Sequence, residues 1–204
     1  MRVPFSSWSS SAFFPRRALA VTGLLACAAG AVFSASCAYA TPSDCTALQD
    51  AMTANTKTPY HSYTSIKFTY SALMAANTSV KLPSAQSSET IFTGTAVYFR
   101  LLPHKWRSLP IALTKFQENV RASVAGLKDC QHFPDEQVNG ATTSVYEGTA
   151  MQSNGPVRTK VWVSAKGVPD KSETEIDIGQ GHFGHQHLST RFEYGDIQAP
   201  NLTR

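Results

Sequence analysis

Three chemistries are excluded first by what the sequence lacks. It has no Gly-x-Ser-x-Gly turn, no His-Glu-x-x-His pair and no phosphate loop of the Gly-x-x-x-x-Gly-Lys-Ser/Thr form. The common nucleophile elbow, zinc-protease helix and Walker-type phosphate cradle therefore have no carrier here. No Cys-x-x-Cys occurs either, which removes the usual redox couple and the zinc ribbon. No repeat period or low-complexity tract stands out, so a solenoid or propeller is not indicated. Cys37 has Ser34 three positions before it, where a lipid-attachment site needs an aliphatic residue. Arg16-Arg17 lacks the rest of a twin-arginine motif.

What is present begins with a leader. Residues 2–17 are polar, an apolar run extends from Ala18 to Ala35, and Ala38-Tyr39-Ala40 offers small residues for cleavage. This pattern predicts a secretory signal peptide over 1–40 and a single domain over 41–204, exported to a bacterial periplasm. Arg2, Arg16 and Arg17 account for three of the 18 basic residues and none of the 14 acids, so the formal charge of +4 belongs mostly to the leader. A nucleic-acid partner loses its support. Cys27 and Cys37 leave with the leader, and Cys45 with Cys130 remain. In an exported chain they make one disulfide, closing a loop of roughly 85 residues at a value on the order of 4 kcal/mol.

Hydropathy periods divide the remainder. Thr41-Pro42-Ser43-Asp44 reads as a capped start, with a helix over Pro42 to Ala54. Period-two alternation then runs through Ser62, Thr64, Ile66, Phe68 and Tyr70. Residues 75–87 read as a loop. A long strand is expected from Glu89 to Leu102, with Ile91, Val97 and Phe99 on one face and Phe92, Ala96 and Tyr98 on the other. Trp106 to Leu109 reads as a short strand or a connector, and Ser108 with Pro110 as a helix start. Leu113, Phe116, Val120, Val124 and Leu127 form the apolar stripe of that second helix, with Cys130 at its exit. Strands resume at Asp135, turn at Asn139-Gly140, and end in a three-strand meander over Val157–Asp196. The expectation is six or seven strands and two helices.

The chemistry-bearing candidates are few. His182, His185 and His187 are weak metal candidates, because no carboxylate or cysteine stands at ligand spacing, and no metal or cofactor is assigned. Glu173, Glu175 and Asp177 alternate beside Lys171 and read as a solvated strand face rather than acid–base partners. Asn77-Thr78-Ser79 and Asn201-Leu202-Thr203 are glycosylation sequons that matter only in a eukaryotic pathway.

From Glu136 to Pro200 the chain resembles the lipoprotein-carrier-like superfamily of periplasmic proteins, which includes LolA, LolB, LppX and RseB-type sensors. The matching residues are Val138-Asn139-Gly140 ahead of Val145-Tyr146-Glu147, then Lys160-Val161-Trp162-Val163-Ser164, Gly167-Val168-Pro169, and Arg191 to Ile197 with Tyr194. The resemblance implies an α+β fold: a curved antiparallel half-barrel meander with two helices covering its concave face. It implies a non-enzymatic carrier whose apolar face holds an acyl chain or lipoprotein, in transient contact with membrane-associated partners. The residues expected to line that face are Ile66, Phe68, Tyr70, Phe92, Phe99, Phe116, Val120, Val161, Val163 and Phe192. The alternative is a periplasmic protein-interaction module with a solid core. Oligomeric state is not legible.

Overall fold

A computed structural model describes residues 42–76, 82–152, 155–179 and 182–202. The predicted leader, the Thr41 cap, Cys27, Cys37 and the Asn77 sequon lie outside these. Helix α1 spans Pro42–Ala54, as its period requires, and strand β1 spans Tyr60–Tyr70. Short helix α2 (Ala72–Ala76) and strand β2 (Ala85–Phe92) take part of the stretch expected to be a loop.

The long strand expected from Glu89 to Leu102 is instead two, β2 and β3 (Val97–Leu101). Gly94 turns between them at φ +90°, and Thr93 N–H donates to the Ala96 carbonyl at 3.1 Å. That turn changes the face assignment. Phe92 pairs directly with Val97, so Phe92, Val97 and Phe99 share one face while Ile91 and Tyr98 share the other. Two-residue strand β4 (Arg107–Ser108) follows, then helix α3 (Leu113–Ala125). This helix starts after Ala112 with no side-chain cap, so Ser108 and Pro110 do not serve as its start.

Strand β5 (Lys128–Val138) begins with only Gly126 and Leu127 after α3. Cys130 therefore belongs to a strand, and the Cys45–Cys130 disulfide ties α1 to β5 rather than to the exit of α3. Asn139 (φ +52°) and Gly140 (φ +82°) make the tight turn to β6 (Ala141–Gln152), both in the left-handed region a type I′ hairpin needs. Strands β7 (Gly155–Val163), β8 (Pro169–Ile178) and β9 (Gly184–Tyr194) complete the expected meander.

All nine strands join one antiparallel sheet in the order β4-β3-β2-β1-β9-β8-β7-β6-β5. Two meanders, β1 to β4 and β5 to β9, are thus sewn together where the last strand pairs with the first. The sheet stays open. Edge strand β5 carries Pro134 and two register shifts, which blunt it against further pairing.

Helices α1 and α3 lie on one face. Leu48 of α1 packs on Cys130 and Val161, with Met52, Leu127, Tyr146 and Val163 around them. A second cluster of Tyr60, Phe92 and Val97 receives Phe116 of α3, Phe192 and Tyr194. Polar ties fix the helices: Gln49 Nε2 donates to the Val124 carbonyl at 3.2 Å, and the Tyr194 hydroxyl donates to the Pro169 carbonyl at 2.6 Å with Asn55 Oδ1 at 3.0 Å. Burial pushes the Tyr60 phenol up to about 12. Among the described residues no helix is long and apolar enough to cross a membrane.

Candidate functional site

Strand register decides which side chains face the helices. From β7 to β2 the facing row reads Thr159, Thr174, Leu188, Ile66 and Gln86. The next row reads Val157, Ile176, Gln186 and Phe68. Under α1 and α3 this floor leaves a groove of about 200 Å³, walled by Leu48, Met52, Val124 and Leu127 and floored by Ala150, Val157 and Ile176. Its lining is apolar save for Thr159, Thr174, Ser123 and Gln152. Most of these residues come from helical spacing on one side and period two on the other, which is why a groove forms where the two patterns meet.

The ten residues expected on the apolar face divide three ways. Phe92 and Val161 are wholly buried, and Phe116, Phe192 and Val163 pack against them in the two core clusters. Ile66, Phe68 and Tyr70 are half-buried on β1, on the same face as the groove but beyond its walls, with the Phe68 and Tyr70 rings stacked at 5.8 Å. Phe99 lines a separate cavity at the sheet edge, and Val120 is half-buried on α3. The groove itself is lined by residues that sequence reading did not single out as ligand-binding, Val124 and Ile176 among them. Helical spacing gives the direction of Val124 and alternation that of Ile176; only the packing of α3 on the sheet shows that they meet.

The opposite face is less bland than its charge pattern suggests. Trp162 lies on it and is only 3% exposed. Lys160 and Lys171 cap its ring at 4.6 and 4.2 Å, and its indole N–H donates to Glu136 Oε2 at 2.7 Å. Hydrogen bonds from Trp162 and Lys160 hold the Glu136 carboxyl below its usual range. Farther along, Glu89 is 6% exposed and accepts from Arg100 Nη2 at 2.7 Å, with His61 Nε2 at 2.9 Å. The Tyr63 hydroxyl reaches His61 Nδ1 at 3.1 Å and Glu193 Oε2 at 3.2 Å. No spacing rule announces this network, because its five members are spread over the four strands β1, β2, β3 and β9.

The histidine stretch requires a correction. No carboxylate stood at ligand spacing in sequence, yet β8 pairs Glu175 with His187 and Asp177 with His185. His185 Nδ1 lies 3.0 Å from Asp177 Oδ1 and its Nε2 meets Glu175 Oε2, while His187 Nδ1 lies 2.5 Å from Glu175 Oε1. His182 stays exposed in the turn. As placed, these groups hydrogen-bond one another, and among the described residues no group of three or more His, Cys, Asp or Glu is arranged to hold a metal ion.

The hydrogen bond to Asp177, aided by Glu175 and opposed by desolvation, raises the His185 pKa above 6.5. Burial raises that of Glu175, but hydrogen bonds from His187 and His185 outweigh it and leave it below 4.5. A raised histidine stabilises the fold fully below its unfolded value and loses that contribution as pH rises through the folded one. A depressed carboxylate stabilises above its unfolded value and loses it as pH falls through the folded one. The clamp is therefore strongest between the two. An NMR titration of the His185 ring should show a midpoint above 6.5 that returns toward 6.5 in Asp177→Asn. An unmoved midpoint would remove the clamp.

No family profile matches the chain, and no curated protein matches it by sequence. Among solved structures it is similar to lipoprotein LppX of Mycobacterium tuberculosis, at 11% identity over 80% of this chain and 100% of that one, with a TM-score of 0.43. LprF from Mycobacterium bovis gives 11% identity over 80% and 97%, also at 0.43. The Pseudomonas aeruginosa MucA/MucB complex gives 12% identity over 78% and 59%, at 0.36.

Proposed function

We propose that this chain is an exported, non-enzymatic binding protein that holds an acyl chain, or an apolar segment of a lipidated partner, between its sheet and helices. The observation that carries the reading is the apolar groove under α1 and α3, lined by Leu48, Met52, Val124, Leu127, Val157 and Ile176. Its volume of about 200 Å³ falls below the roughly 300 Å³ at which small-molecule sites begin. Size therefore selects the ligand: one stretch of chain fits, and the remainder runs over half-buried Leu188, Ile66 and Phe68. Export to a periplasm rests on the polar, apolar and small-residue sequence of the leader over 1–40. A second reading, an interaction module with a solid core, is favoured by the close packing of Tyr60, Phe92, Phe116 and Phe192.

Native mass spectrometry of the mature chain purified from its host membrane extract separates the two. The carrier reading expects added mass of one lipid per chain, lost in Ile176→Asp, which places a charge on the groove floor at a half-buried position. Wild-type protein that carries no lipid and takes none up after delipidation and re-exposure would leave the solid-core module.

A further inference from the structure

A larger space than the groove under the helices lies at the sheet edge. A cavity of about 410 Å³ opens between the β3 edge and the loop that carries β4. Phe99, Leu101 and Leu109 give it apolar walls, Arg100, Lys105 and Arg107 give it cations, and His104 adds an imidazole. The charge is segregated in sequence: residues 90–117 hold Arg100, His104, Lys105, Arg107 and Lys115 and no Asp or Glu. Leu102 and Leu109, 40% and 41% exposed, flank the loop.

The cations differ in freedom. Arg100 is fixed, with Nη2 on Glu89 at 2.7 Å and its guanidinium 4.6 Å above the Trp106 ring. Its Nε is buried with no hydrogen-bond partner among the described residues. Lys105 and Arg107 are exposed, and among the described residues neither has an acidic partner. A protein surface that leaves cations unpaired beside exposed leucines matches a ligand with negative charge at one end and hydrocarbon at the other.

We propose that this cavity binds an anionic amphiphile, with its charged head on Lys105 and Arg107 and its alkyl chain along Phe99, Leu101 and Leu109. The volume lies within the ordinary range for ligand sites. A bare anion would forgo about 0.8 kcal/mol for each methylene the walls could bury, and a neutral alcohol would leave the cations unanswered. The site stands independently of the groove, which is formed by other elements.

Calorimetric titration of the folded mature chain tests it, using decyl phosphate as a monomer, decan-1-ol and inorganic phosphate. One decyl phosphate per chain is expected at this cavity, over and above any alkyl chain the groove takes, with alcohol and phosphate at least tenfold weaker there. Lys105→Glu with Arg107→Glu, both at exposed positions, should weaken decyl phosphate at least tenfold, that is by about 1.4 kcal/mol. Ile176→Asp in the groove should leave it unchanged. Phosphatidylglycerol vesicles separate a membrane surface from a single ligand. Co-sedimentation without binding of monomeric decyl phosphate overturns the cavity. So do equal affinities for alcohol and phosphate ester, wild-type affinity after charge reversal, or loss of binding in Ile176→Asp alone.

Discussion

Removing the Cys45–Cys130 bond, by Cys45→Ala with Cys130→Ala or by reduction, is expected to cost about 4 kcal/mol of stability. The two cysteines are 85 positions apart, and closing so long a loop removes much of the freedom of the unfolded chain. For a domain of this size that corresponds to a fall in Tm of roughly 8–16 °C. The bond also has a local role. It fixes α1 to β5, and Leu48 packs directly against Cys130 to form one of the two core clusters. The groove wall comes from the same helix through Leu48 and Met52. On the carrier reading, lipid retention should therefore fall along with stability when the bond is absent. Urea unfolding with and without reductant measures the first effect. A loss under about 1 kcal/mol would mean that apolar contacts alone seat the helix.

The parts of this structure that sequence predicts are those governed by a single local period. Helix α1 is found where Leu48, Ala51 and Met52 recur at helical spacing, and β7 to β9 where apolar and charged residues alternate. Asn139-Gly140 announces its turn by its own conformational tolerance. Errors occur where a long-range partner decides. Residues 89–102 alternate well enough to read as one strand, and the change of face at Gly94 is visible only once Phe92 and Val97 are seen opposite each other. Lys128 to Asp135 has no clean alternation, yet it pairs with β6 across two register shifts. Strand order is likewise hidden, because nothing in β1 or β9 states that they are neighbours.

The same limit explains the sites. A face is a local property and a site is not. Glu175 and His187 are twelve positions apart on strands whose register no spacing rule supplies. The groove needs two helices and three strands, and the edge cavity needs a loop folded back on β3. Trp162 shows the cost of reading polarity alone. It occupies the charged face and is buried there, since two lysine ammonium groups over its ring and a carboxylate on its indole N–H cover what alternation assigned to water.

Gly184→Ala should be the most damaging single methyl on the sheet, at about 3 kcal/mol or more. Gly184 sits in the histidine-rich stretch, where its neighbours draw the eye to metal chemistry, but its own constraint is steric. Its φ is +138°, and an added Cβ would lie 2.3 Å from the Thr69 carbonyl oxygen and 2.9 Å from Tyr70 Cα. Both obstacles are backbone, so no side chain can swing away. Retaining the conformation costs about 1–3 kcal/mol in strain alone, and relieving the contact means parting β9 from β1. That pairing is the seam between the two meanders, with Gly184 opposite Tyr70 on one side and Ile178 on the other. Gly167→Ala is the control: its φ is +75° and nothing lies within 4 Å of the added atom, so only the left-handed penalty of about 1–2 kcal/mol applies. Urea unfolding should separate the two variants by at least 1 kcal/mol, and amide exchange at Thr69 and Tyr70 should accelerate only in Gly184→Ala. Equal losses would mean that the β1–β9 seam relaxes freely at this end, and that the join between the meanders is held from the Tyr60 end instead.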